Sequence, residues 1–224
     1  MLKPIEIPRE IWVYEFTEKS AHEFREQVMM MAEDEGPSGV IPINIDSYGG
    51  SVYALAKMIE TMNEMPNQFL TRVSGKAMSC GAILASQGDV RFIGDLSNTM
   101  VHNVSAGVIG DVTDMESVTE NVKEINKQMM GLLAKNCGMS YASLQSKIKA
   151  STNSKEIWLN AEQSVEFGLA DFVGTPKLVP RMQIQLVHTP VKKRGEGIDL
   201  EDFVDPERAK KKAKAKKKPT KKKK

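Results

Sequence analysis

Between residues 11 and 102, short β-forming runs alternate with stretches of helical spacing, and this alternation admits few architectures. Ile11-Trp-Val-Tyr-Glu-Phe16, Val40-Ile-Pro-Ile-Asn-Ile45, Phe69-Leu-Thr-Arg-Val73, Val90-Arg-Phe-Ile93 and Thr99-Met-Val-His102 read as strands. The segment Ser20 to Asp34 carries Phe24, Val28 and Met31 at helical spacing, with Ser20 before Glu23 as a capping box and Gly36-Pro37 as the stop. Ser51 to Met65 is helical again, and Met78 to Gln87 is small and apolar, as a buried helix should be. Strands and helices alternating at this pitch predict an α/β fold with parallel strands and right-handed crossovers. Val40 to Ile45 is largely apolar, suits a buried strand, and delivers the chain into the Gly49-Gly50 turn.

Past His102 the pitch lengthens. Asp114 to Cys137 places Met115, Val118, Val122, Ile125, Met129, Leu132 and Leu133 at helical intervals and ends at Gly138, which predicts one long amphipathic helix. Its apolar stripe is longer than one small domain easily covers. Ser140 to Ala150 reads as a second helix leading to Glu156-Ile-Trp-Leu159, and Ala161 to Phe167 as a last short helix stopped by Gly168. Met182-Gln-Ile-Gln-Leu-Val187 alternates and predicts an added strand, while Asp199 to Pro206 reads as linker. The expected organisation is a short segment 1–10, one folded domain over 11–174, an extension over 175–207 and a tail over 208–224.

Charge divides the chain sharply. Twelve of its 31 basic residues lie from Arg208 onward with no acid among them, so residues 1–207 carry 19 bases against all 29 acids, a net −10. The Lys-rich tail buries too little apolar surface to offset its ordering entropy, so it is expected to be disordered. Such a tail attaches electrostatically to nucleic acid or to acidic proteins, or is simply solvated, since no aromatic residue is interleaved to stack on bases. Cys80 and Cys137 are too few for a disulfide framework and lack zinc-type spacing, so reduced thiols and no metal site are expected. No apolar run approaches the ~20 residues that span a bilayer, and Met1-Leu-Lys-Pro lacks signal-peptide character. The expectation is a cytoplasmic protein without a membrane partner.

Chemistry concentrates around Ser79. It lies in Gly75-Lys-Ala-Met-Ser-Cys-Gly-Ala82, between Asp46-Ser-Tyr-Gly-Gly-Ser-Val52 upstream and Met100-Val-His102 downstream. Acyl transfer needs a hydroxyl nucleophile, a base to take its proton, and backbone N–H groups to receive the oxyanion. Ser79, His102 and the glycine loop offer these in one stretch. A serine at a helix start also meets free N–H groups and a dipole that favours negative charge.

Five blocks then carry a resemblance: Ile45-Asp-Ser-Tyr-Gly-Gly-Ser-Val52, Ala77-Met-Ser-Cys-Gly-Ala82, Met100-Val-His102, Gly110-Asp-Val-Thr-Asp114 and Val165-Glu-Phe-Gly-Leu-Ala-Asp171. In order and separation they resemble those of ClpP-type serine peptidases, over roughly residues 11–174. The resemblance implies a ClpP/crotonase-like fold of stacked ββα units with a protruding handle helix, about 114–137, that joins two rings face to face. It implies a serine endopeptidase that cleaves proteins or peptides inside a homo-oligomeric ring or double ring, without a cofactor. Carried over residue by residue, it makes Ser79 the nucleophile and His102 the general base. Gly50 and Cys80 fall where backbone N–H groups form the oxyanion hole, and the Cys80 side chain is not required. Counting back from Val165-Glu-Phe-Gly168, Glu156 falls where the family carries its catalytic aspartate. A glutamate can orient an imidazolium in the same way, with one more methylene of reach. Asp114 and Asp171 match family positions with structural roles.

The departures are informative too. Tyr48 stands where the family commonly has proline, which predicts a less rigid loop, and Asn103-Val104 replaces the usual Gln-Pro after the histidine. The chain before Ile11 is short beside the family's axial loops, which engage an AAA+ unfoldase. Viral procapsid (head maturation) proteases include members with a ClpP-like core, and a specialised protease acting without an unfoldase suits these features. Two other readings stand beside the peptidase: a catalytically silent subunit of the same fold tethered by its lysine tail, and a crotonase acting on acyl-CoA. Retention of both Ser79 and His102 argues against each.

Overall fold

The computed structural model describes residues 10–151 and 155–176; the expected strand at 182–187, the linker and the Lys-rich tail lie outside them. The element order is β1 (Ile11–Val13), α1 (Glu18–Glu35), β2 (Val40–Ser47), α2 (Val52–Glu64), β3 (Gln68–Met78), α3 (Cys80–Ala85), β4 (Val90–Ile93), β5 (Asn98–Val101), α4 (Val112–Asn136), α5 (Tyr141–Ala150), β6 (Ile157–Leu159), α6 (Ala161–Phe167) and β7 (Phe172–Val173). None of the described helices is long and apolar enough to cross a membrane.

The main sheet runs β1-β2-β3-β4-β7, all parallel, as the strand–helix alternation predicts. Its inner face presents Ile11, Val13, Ile43, Ile45, Val73 and Ile93, all buried, against Phe24, Val28 and Met31 of α1 and Leu55 and Met58 of α2. Each such side chain contributes about 1.5–3 kcal/mol by leaving water. Alternation sends Trp12 and Tyr14 to the other side, where their rings stack 5.7 Å apart, and Phe92 meets Phe172 there at 5.3 Å.

Two differences from the sequence expectation concern local pairing. The capping box of α1 is Thr17 with Ser20, not Ser20 with Glu23: the Ser20 N–H donates to Thr17 Oγ1 at 3.1 Å and the Thr17 N–H to Ser20 Oγ at 2.9 Å. A serine serves as well as a glutamate at the third helical position when its oxygen reaches back, so the helix starts one turn earlier. The second difference is β6, which pairs antiparallel with β5 through Thr99↔Leu159, Met100↔Trp158 and Val101↔Ile157.

β3 joins two parts of the sheet. Its residues Leu70–Val73 pair with β4, and its residues Lys76–Met78 pair with β5 along the same edge. Between them the β2–β3 register shifts: Ile45↔Val73 is followed by Ser47↔Ala77, so Ser74, Gly75 and Lys76 stand opposite the single residue Asp46. This bulge bends β3 away from β4 and aims its end at β5.

Arg91 of β4 ties the far side together. Its guanidinium and backbone N–H reach the Asp171 carboxylate through three hydrogen bonds of 2.5–3.1 Å. The same guanidinium donates to the carbonyls of Asn136 at 3.1 Å and Gly168 at 2.8 Å, closing the ends of α4 and α6. That is the structural role expected of Asp171; Asp114 likewise serves α4, in a capping box with Asp111.

Candidate active site

Ser79 is the junction between β3 and α3, with φ 54° and ψ −118°, a conformation that a residue with a Cβ rarely adopts. The surroundings over-determine it. Its N–H donates to the Met100 carbonyl of β5 at 2.8 Å, and its own carbonyl accepts the first helical bonds from Ala82 and Ile83. Only Gly fits beside it at position 49: a Cβ there, at φ +101°, would lie 2.8 Å from the Ser79 Cβ and 2.9 Å from the Met78 carbonyl. The strain sits at the proposed nucleophile, where stored strain is commonly functional.

Gly50 lies against Phe16. A Cβ at Gly50 would meet the Phe16 carbonyl at 2.7 Å, and the next N–H, that of Ser51, donates to that carbonyl at 2.9 Å. The Gly50 carbonyl faces α3, where it accepts the Cys80 thiol at 3.2 Å. Cys80, the first residue of the helix, has a backbone N–H with no partner four residues back, as helix starts do. Burial pushes its thiol above the ordinary value. Neither the Phe16 anchor nor the Cys80 side-chain bond was legible in the sequence, because both join segments distant in the chain. The only available signal was the β-forming character of Ile11 to Phe16.

His102 follows β5 directly and is half-buried. The β3–β5 ladder ends at Met78↔Met100, with the next N–H, that of Ser79, on the Met100 carbonyl, and the β5–β6 ladder ends at Val101↔Ile157, the pair next to His102 and Glu156. Ser79, His102 and Glu156 thus each stand next to the end of a paired strand: β3, β5 and β6 respectively. Among the described residues no hydrogen bond joins Ser79, His102 and Glu156 side chains. The Glu156 carboxylate instead accepts Trp158 Nε1 at 2.9 Å, and catalytic hydrogen bonds are commonly loose before substrate binds. Lys155, next to Glu156, has φ 65°; it and Ser79 are the two non-glycine residues with positive φ among those described. An open groove of about 490 Å³ runs past Glu156, lined by Lys147, Ile157, Trp158, Leu159 and Phe167 among others.

The two substitutions within the resembled motifs have visible substitutes for what they replace. Tyr48 lies under Lys76, whose Nζ is 4.4 Å from the ring centroid and 2.7 Å from Asp46 Oδ1. The predicted loosening of the loop is therefore countered by a cation–π contact and an ion pair. After His102, Val104 uses the N–H that a proline lacks, donating to Asn126 of α4 at 2.8 Å, and Asn103 accepts Gln145 of α5 at 2.7 Å. The chain leaving the histidine is fixed by hydrogen bonds in place of ring rigidity.

A family model described as Clp protease matches residues 8–177. The chain is also similar to the ATP-dependent Clp protease proteolytic subunit 1 of Streptomyces avermitilis, 30% identical over 158 residues, which are 70% of this chain and 70% of that protein.

Proposed function

The chain belongs to the Clp protease family, and from that premise we propose that it is a serine endopeptidase whose nucleophile is Ser79. Ser79 Oγ attacks the scissile carbonyl while His102 takes its proton. The resulting oxyanion is received by the N–H groups of Gly50 and Cys80. His102 then passes the proton to the leaving amine, and the acyl-enzyme is hydrolysed by water with His102 again as base. Glu156, which adjoins β6 as His102 adjoins β5, exchanges its Trp158 partner for the imidazolium once the site is filled. The observation that carries this reading is the strained φ of Ser79 at a strand-to-helix junction, braced by Gly49 and by the Met100 carbonyl.

Assembly into a chamber is part of the same proposal. Ile109 in the loop before α4, Val112 and Met115 in its first turns, and Trp12, Tyr14 and Phe172 on the outer sheet face, are exposed apolar side chains of the kind that subunit contacts cover. Ser79→Ala should lower hydrolysis of casein and short fluorogenic peptides by ~10⁴-fold or more, because triad members act as a unit. Native mass spectrometry should show its assembly unchanged. Cleavage surviving in that variant refutes Ser79 as nucleophile. A wild-type protein that neither cleaves peptides nor reacts with a fluorophosphonate would favour a silent subunit of this fold.

A further inference from the structure

We propose that Cys80 is a positioning residue, whose thiol holds the peptide between Gly50 and Ser51 so that the Gly50 N–H stays aimed at the reacting oxygen. This rests on the serine-peptidase reading above and assigns the side chain a task beyond its backbone N–H.

Gly49 and Gly50 have φ of +101° and +149°. Both torsions are reached freely by glycine and neither is fixed by a side chain, so the intervening peptide has no intrinsic reason to keep one orientation. The Phe16↔Gly50 bridge and the Gly49 N–H bond to Ser47 Oγ at 3.1 Å hold the loop on its outer side, and a further restraint lies one peptide on. That unit carries the Gly50 carbonyl at one end and the Ser51 N–H at the other. The Ser51 N–H is bonded to the Phe16 carbonyl at 2.9 Å, and the Gly50 carbonyl is bonded to Cys80 Sγ at 3.2 Å. The plane is pinned from both sides, and one of the pins is the residue that follows the nucleophile. Cys80 is 1% exposed, and burial keeps its thiol protonated at neutral pH, the state in which sulfur can donate. One side chain thereby couples the two N–H groups proposed for the oxyanion hole.

A donor and a space-filler are separable by substitution. Cys80→Ser keeps a donor, whereas Cys80→Val fills the volume and has none. If the thiol acts by hydrogen bonding, Cys80→Val should lower kcat on a short fluorogenic peptide about fivefold to tenfold, the worth of one ordinary hydrogen bond, with KM within about twofold. Affinity for a peptide aldehyde, whose hemiacetal oxygen occupies the oxyanion position, should fall by a similar factor. Cys80→Ser should retain about half or more of both. If Cys80 only packs, the order reverses, with valine tolerated and serine impaired; that result, or equal losses in both variants, overturns the proposal. Melting temperatures check folding, and Cys80→Ala replaces the valine variant should that one not fold. Fluorophosphonate labelling of the wild type, absent in Ser79→Ala, establishes the underlying reading separately. A wild type that neither labels nor cleaves refutes that reading, and this inference with it.

Discussion

Arg91 and Asp171 show how single side chains hold the scaffold behind the site. The guanidinium lowers the Asp171 pKa below the ordinary carboxylate range, chiefly through their side-chain hydrogen bonds. A depressed folded-state pKa adds stability above the unfolded value, near 3.9, and that stability is lost as pH falls through the folded value. Asp171→Asn should therefore cost about 1–2 kcal/mol at neutral pH, reduced from a fully buried pair by partial exposure. Urea titrations at a series of pH values should show the gap to wild type constant above about pH 5 and narrowing below pH 4. A gap that does not change with pH would assign the effect to something other than the ion pair. At this scale the sequence was legible where chemistry is local. The order glycine loop, serine, histidine pointed to one candidate site, and counting back from Val165-Glu-Phe-Gly168 in the resembled blocks proposed Glu156. The Cys80–Gly50 bond, the Lys76 clamp on Tyr48 and the use of the Val104 N–H were not legible, because each depends on partners distant in the chain.

The helices were read well, since amphipathic spacing is a local signal. α2, α5 and α6 start one residue after Ser51, at Tyr141 and at Ala161, and the caps Ser51, Ser140 and Asn160 each accept the N–H three residues on. α4 begins two residues earlier than its periodicity suggested, because Asp111 caps it. Only its last turns bury side chains fully, at Met130, Leu133 and Ala134; Met115 remains 44% exposed, and the stripe between is half-covered. The N-terminal half of α4 thus has an apolar surface that this copy of the chain does not cover. Replacing Ile109 and Met115 together by Lys should reduce the assembled mass in sedimentation, with the fold of each subunit intact by circular dichroism. Surface substitutions away from packed contacts usually move stability by less than about 0.5 kcal/mol, so unfolding of the variant would argue against a contact role. Strand pairing was read less fully than helices. Periodicity gave the strands but not their neighbours, and neither the antiparallel return of β6 nor the passage of β3 between two partners has a signature in a single segment.

For the molecule as a whole, β3 is the shared member: its first half completes the main sheet, and its second half carries β5, β6 and with them His102 and Glu156. The side facing the core alternates along a strand with a period of two. Val73 and Ala77 are both buried, four residues apart, so the bulge at 74–76 changes partners without changing faces. Deleting Gly75 alone should send Ser79 to the opposite face and abolish fluorophosphonate labelling, while Ser74→Ala should leave labelling largely intact; equal labelling of both would refute the argument. Whether the nucleophile meets its base is therefore a matter of parity. Substitutions can be tolerated in the bulge, but insertions or deletions there must come in even numbers if both the core and the candidate site are to survive them.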